Sequence, residues 1–111
     1  MEKKQLQILI EELIRFRDAR DWQQFHNSKD LALALSIEAS EVSELFLWKK
    51  SEEVDPDKLK HELADVLSYC LLIANNHDID LETALLEKIA INEKKYPIDK
   101  AKGNAKKYTD F

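Results

Sequence analysis

Apolar residues recur at the three-and-four spacing of an α-helix along four stretches of the chain, and polar breaks separate them. From about Lys4 to Arg20, Leu6, Ile10, Leu13 and Ile14 form one stripe with Arg and Glu opposite, which predicts a first amphipathic helix. Asp21 to Asn27 interrupts the pattern and carries Trp22, Phe25 and His26. Asn27 or Ser28 then offers a side-chain acceptor to cap a second helix running to about Lys50. After the polar, acidic linker Ser51 to Asp55, Asp55 as cap with Pro56 at the first helical position starts a third helix, expected to reach about Asn76. Beyond His77-Asp78-Ile79, Asp80 caps a fourth helix in which Leu81, Leu85 and Ile89 recur, ending near Tyr96 because Pro97 cannot continue it. Ile98 to Phe111 reads as an irregular arm that packs through Tyr108 and Phe111.

Composition sharpens this picture. A single Gly and two Pro, with 44% hydrophobic and 35% charged residues, suit helices joined by short connections and not a sheet rich in tight turns. We therefore expect an all-α fold, an antiparallel four-helix bundle-like domain with a C-terminal arm, and one domain over residues 1–111. A formal charge of -5, with no long basic run before the tail, argues against a general nucleic-acid binder and leaves room for a small phosphorylated ligand. Cys70 is the only cysteine, so there is neither an intrachain disulfide nor a zinc site to expect, and a reduced, cytosolic compartment fits. No uncharged stretch approaches the roughly 20 residues that span a bilayer, so no membrane partner is expected.

Two acid pairs change the reading from fold to chemistry. Glu38-x-x-Glu41 lies within the apolar run Leu31 to Leu47, and Glu62-x-x-Asp65 opens the run Leu63 to Ala74. Carboxylates in such surroundings cost several kcal/mol each unless they shift their pKa or meet positive charge, and a divalent cation supplies it. A lone Glu-x-x-Glu on a helix is usually a solvated face; two pairs on successive apolar helices are a different matter. Residues three or four apart share a helical face, which gives the stripes Glu38, Glu41, Leu45, Trp48 and Glu62, Asp65, Tyr69. Antiparallel packing of the two helices would bring four carboxylates to one site suited to Mg²⁺, or Mn²⁺ in its place. His26, His61 and His77 fit no Glu-x-x-His pattern, which counts against a di-iron carboxylate bundle.

The fourth helix carries a complementary stripe, Lys88, Asn92 and Lys95, with Tyr96 beside it, and cations near a carboxylate-held metal point to a polyphosphate. Trp22, Phe25, Trp48 and Tyr69 offer flat surfaces on which a base could stack. These parts together resemble the all-α nucleotide pyrophosphohydrolases of the MazG-like superfamily. The likeness rests on the two acid motifs, the Lys88–Pro97 segment Lys-x-x-x-Asn-x-x-Lys-Tyr-Pro and the terminal Lys107-Tyr108, and covers nearly the whole chain. More narrowly, Arg20-Asp21-Trp22-x-x-Phe25-His26 and Glu44-Leu45-Phe46-x-Trp48-Lys49 are similar to the short dCTP-pyrophosphatase branch.

The resemblance implies hydrolysis of a nucleoside triphosphate between its α and β phosphates, with Mg²⁺ held by Glu38, Glu41, Glu62 and Asp65 and with Glu41 or Glu38 as the base. It implies phosphate contacts from Lys88, Asn92 and Lys95, and a base pocket of Trp22, Phe25, Trp48 and Tyr69 joined by His26 and Tyr96. A deoxynucleotide of the dCTP kind would be the substrate, and the assembly a homo-oligomer, a dimer or a dimer of dimers, whose neighbouring subunits share pocket walls. Two rivals accompany this reading: a superfamily member acting on dUTP or phosphoribosyl-ATP, and a non-catalytic helical interaction module or nucleotide sensor.

Overall fold

A computed structural model describes residues 4–111, which divide into two compact units, one ending at Ile79 and one running from Asp80 to Phe111. The described residues contain helices and turns and no strand, as the periodicity requires. The first unit holds α1 (Gln5–Asp18), α2 (Ser28–Glu44) and α3 (Pro56–Asn76), and the second holds α4 (Leu81–Lys95) and the short α5 (Ile98–Ala101). Single 3-10 turns lie at Gln23–Phe25, Ser51–Glu53 and Tyr108–Asp110.

The caps explain most boundaries. Asn27 accepts from the Asp30 amide at the start of α2, Asp55 from Asp57 at α3 with Pro56 beside it, and Asp80 from Glu82 at α4. Two helices end on an aspartate reversal. Asp21 (φ 56°) and Asp78 (φ 53°) take the left-handed conformation that terminates α1 and α3. The Trp22 amide then donates to the Arg17 carbonyl at 3.1 Å, and the Ile79 amide to the Ala74 carbonyl at 2.9 Å. This is the wrapped helix end usually assigned to glycine, made here by aspartates, whose short polar side chains tolerate the left-handed region.

Packing in the first unit brings α3 against both α1 and α2. The core consists of Ile10 from α1, Leu31 from α2, and Leu71, Leu72 and Ala74 from α3, with Leu71 only 2% exposed. Hydrogen bonds fix the direction of α3 against α2. Asn76, at the end of α3, donates to the His26 carbonyl and to the Ser28 hydroxyl at 3.2 Å each, and His77 Nε2 lies 2.8 Å from the same hydroxyl. The start of α2 thus meets the end of α3, while Glu41 near the end of α2 meets Glu62 near the start of α3. The two helices are antiparallel, as expected from their short connection.

Three boundaries differ from the sequence expectation. Helix α2 stops at Glu44 instead of continuing to Lys50, because Leu45, Phe46, Leu47 and Lys49 each donate to the carbonyl three residues back and the tightened chain passes through Trp48 at φ 63°. Helix α1 ends at Asp18, two residues before Arg20, where the Asp21 reversal closes it. The C-terminal arm is not irregular throughout: it contains α5 and a final 3-10 turn.

Leu71→Ala should lower the unfolding free energy by about 2–5 kcal/mol in urea denaturation, by the lost burial plus the cavity left behind. Asn27→Ala, which removes one cap bond, should cost about 1 kcal/mol. Equal costs would mean that Leu71 does not anchor the core.

Candidate active site

Glu38 and Glu41 stand three residues apart on α2, and the antiparallel partner α3 brings Glu62 opposite them. One carboxylate oxygen from each of the three lies within 4.8 Å of the others, and all three side chains are half-buried. Glu38 Oε2 and Glu62 Oε2 are withdrawn from solvent with no hydrogen-bond partner. Native proteins rarely leave buried acceptors unmatched, so these two oxygens are lone pairs directed at something the polypeptide does not supply.

Electrostatics carry the same message. Burial, then the hydrogen bond and charge of Glu41, then the charges of Asp65 and Glu62, push the Glu38 carboxyl from an ordinary 4.5 up to about 7. Burial and Glu41, with the charge of Asp65, also raise Glu62. Asp65 is exposed and lies outside the close triad, yet its charge acts on Glu38, Glu62 and Tyr69, so it faces the cluster. Tyr69, one turn further along α3, is itself raised by burial and by Glu38, Asp65 and Glu41, which sets its hydroxyl at the edge of the same negative field. Three close carboxylates with unmatched oxygens and a fourth nearby suit a hard divalent cation, whose charge would lower every one of these raised pKa values.

The remaining candidates fall elsewhere. Trp48, expected on the acid stripe of α2, lies past the helix end, holds a left-handed backbone and is 94% exposed. A left-handed conformation is strained for a bulky residue, and here it turns the indole out of the helical register. Trp22, Phe25 and His26 sit at the start of α2, where Asn76 holds the His26 carbonyl. Glu62 precedes Asn76 by fourteen residues on α3. At the helical rise that is about 20 Å, so a single chain does not gather this aromatic segment and the acid triad into one pocket. Lys88, Asn92, Lys95 and Tyr96 lie on or directly after α4 in the second unit, with Asn92 and Lys95 half-buried and Lys88 exposed.

Sequence reasoning passed over the surroundings of His26. Arg17 is buried at 7% exposure, and its Nε donates to Asp18 at 2.9 Å. Burial and the Arg17 charge hold the His26 imidazole below its ordinary 6.5. The signal was present: Arg17 continues the Ile10, Leu13, Ile14 stripe by one helical turn, so it occupies a core-facing position. Asn76 and His77 gave no such signal, since their partners lie about fifty residues away in the chain.

Known proteins resemble this chain in sequence and in fold. The MazG-like family model matches residues 33–111, a span that includes both acid pairs and the Lys88–Pro97 segment. The chain belongs to the MazG-like family. It is 41% identical over 104 residues to dCTP pyrophosphatase 1 of Bos taurus, covering 86% of this chain and 62% of that protein. It is 40% identical over 104 residues to dCTP pyrophosphatase 1 of Homo sapiens, covering 86% of this chain and 61% of that one. The chain therefore spans about three fifths of the length of these relatives. A solved pyrophosphatase structure from Archaeoglobus fulgidus superposes with a TM-score of 0.81 at 35% identity, covering 87% of this chain and 96% of that one.

The raised carboxyls fix the sign of a pH effect. Folded Glu38 and Glu62 hold protons more tightly than the unfolded chain does, so with respect to these groups the cation-free protein should be most stable below about pH 4.5, where both states are protonated, and lose stability as pH rises from there toward 7. Thermal melts across this range should show that fall, Mg²⁺ should reverse it at pH 8, and Glu38→Gln should flatten it. A cation-free melting temperature that does not fall across the range would contradict the cluster's charge repulsion.

Proposed function

We propose that this protein is a Mg²⁺-dependent nucleoside triphosphate pyrophosphohydrolase that acts on deoxynucleotides, with dCTP-like substrates preferred, and clears surplus or modified ones from the cytosolic pool. The observation that carries the proposal is the triad of Glu38, Glu41 and Glu62 within 4.8 Å, with two buried oxygens unmatched. Identity of about 40% to dCTP pyrophosphatases and the likeness to a solved pyrophosphatase support the reaction class.

In this reading Glu38, Glu41 and Glu62 would hold Mg²⁺, for which Mn²⁺ would substitute, and Asp65 would complete the set from the next turn of α3. The cation, when bound, screens the triphosphate and acidifies nearby water. Glu41 or Glu38 takes the proton of the attacking water as its oxygen bonds to phosphorus. The bond between the α and β phosphates breaks, and nucleoside monophosphate and pyrophosphate leave. Lys88 and Lys95 meet the phosphates as point charges, while Asn92 donates a directed amide hydrogen bond. Tyr69 borders the base beside the acids; Trp22, Phe25, His26, Trp48 and Tyr96 form the rest of its pocket.

The distance between the Trp22–His26 segment and the acids favours an assembly in which neighbouring subunits close each pocket. Apolar side chains left uncovered in the first unit support it: Leu33 and Ile37 on α2 are 55% and 58% exposed, and Leu63 and Leu67 on α3 are 51% and 44% exposed. We take the active form to be a homo-oligomer, a dimer or a dimer of dimers.

Incubated with Mg²⁺ and a panel of dNTPs, the protein should release monophosphate and pyrophosphate, fastest from dCTP or its 5-modified forms. Glu41→Gln should reduce turnover by at least about a hundredfold while leaving helix content intact, as expected for loss of a group in general-base or metal-ligand work. Metal-dependent nucleotide binding without turnover would instead identify a sensor, and no binding an interaction module. In sedimentation, Ile37→Glu should shift the protein toward monomer and reduce activity with it; an unchanged oligomer would remove the α2 face from the interface.

A further inference from the structure

The second unit holds an arrangement to which the acid site gives no role. After α5 the chain reverses at Gly103, whose φ of 81° lies in the left-handed region that glycine adopts without penalty. The Asn104 side chain fixes the turn from both sides: its Nδ2 donates to the Lys100 carbonyl at 2.9 Å, and its Oδ1 accepts from the Lys106 amide at 3.0 Å. The returning arm ends in the 3-10 turn Tyr108–Asp110, which places two aromatic rings against the end of α4. Tyr108 and Phe111 meet the Tyr96 ring edge to face, at centroid distances of 5.9 and 5.8 Å. Lys95 lies over the Tyr108 ring, its Nζ 4.9 Å from the centroid.

The last contact bears on chemistry because of what it does not do. A carboxylate beside Lys95 would hold the ammonium and cancel its charge; an aromatic face attracts it through the ring quadrupole and leaves the charge in place. A lysine side chain otherwise samples many rotamers, and fixing it on an anion costs entropy at the moment of binding. Lys95 is half-buried, whereas Lys88, two turns earlier on the same stripe, is exposed and has no such support. Tyr96, the residue that caps α4 by donating to the Asn92 carbonyl at 2.8 Å, is the ring on which the whole arrangement rests.

We propose that Tyr108 is a positioning residue: the folded C-terminal arm, seated on Tyr96 through Tyr108 and Phe111, holds the Lys95 ammonium pre-ordered and unneutralised for the polyphosphate of the substrate. This rests on the nucleotide reading above and adds to it a role for the arm.

The test is calorimetric titration of the full chain with magnesium tripolyphosphate, which carries the anion without the base. Tyr108→Leu should weaken binding about threefold to fivefold, the worth of a partly exposed cation–π contact, and Tyr108→Phe should bind as the parent does. In a Lys95→Met background, Tyr108→Leu should have no further effect. An equal loss in both backgrounds, or no rescue by phenylalanine, would show that the arm matters only for folding and would overturn the proposal. The contact itself is read separately, by the Lys95 ε-methylene protons, which the ring should shift upfield in the parent and in Tyr108→Phe; an unshifted signal in the parent overturns the proposal. Parent protein that fails to bind tripolyphosphate would defeat the polyphosphate reading and this proposal together, whereas parent binding that is indifferent to Tyr108→Leu would defeat this proposal alone.

Discussion

Mutual repulsion among three half-buried carboxylates is the constraint around which the first unit is arranged. Glu38, Glu41 and Glu62 each bring an oxygen within 4.8 Å of the others, and Glu38 and Glu62 each keep a buried oxygen without a partner; the cluster stores unfavourable energy that protons or a cation can relieve. A fold selected for stability alone would turn such groups outward or replace them by apolar residues. This one instead spends packing at the other end of the helix pair. Leu31, Leu71, Leu72 and Ala74 are buried toward the start of α2 and the end of α3, and Asn76 and His77 bind the two helices there by side-chain hydrogen bonds. The tightly packed end sets the register that forces the acids together about 20 Å away.

Register is therefore the link between packing and chemistry. Ser28 to Glu41 and Glu62 to Asn76 are nearly equal lengths of helix, so fixing one end aligns the other. Substitutions at Asn76, remote from the acids, would act on the site through this alignment. Asp21 and Asp78 serve the same purpose at the turns, ending α1 and α3 where a chain with a single glycine has none to use.

Much of this was legible in the sequence. The Asp55-Pro56 start of α3 and the Asp80 cap of α4 are local chemistry, written in adjacent residues, and the structure reproduces them. The meeting of Glu38 and Glu41 with Glu62 followed from helical spacing and a short connection. The end of α2 was not legible, because Leu45 to Trp48 are residues that helices readily accept, and only the three-residue hydrogen bonds and the left-handed Trp48 show the break. The separation of Trp22, Phe25 and His26 from the acids was equally hidden, since aromatic residues in a loop announce no partner and the Asn76 contact that places them spans fifty residues. Arg17 could have been found, from its place on the apolar stripe of α1.

The central claim is that the acid triad exists to hold a divalent cation, and diffraction from crystals grown with Mn²⁺ tests it most directly. An anomalous peak within bonding distance of Glu38, Glu41 and Glu62 is the predicted result, lost when Glu41 is replaced by glutamine. Manganese bound elsewhere, with the three carboxylates pairing with protein groups or turned to solvent, would contradict it.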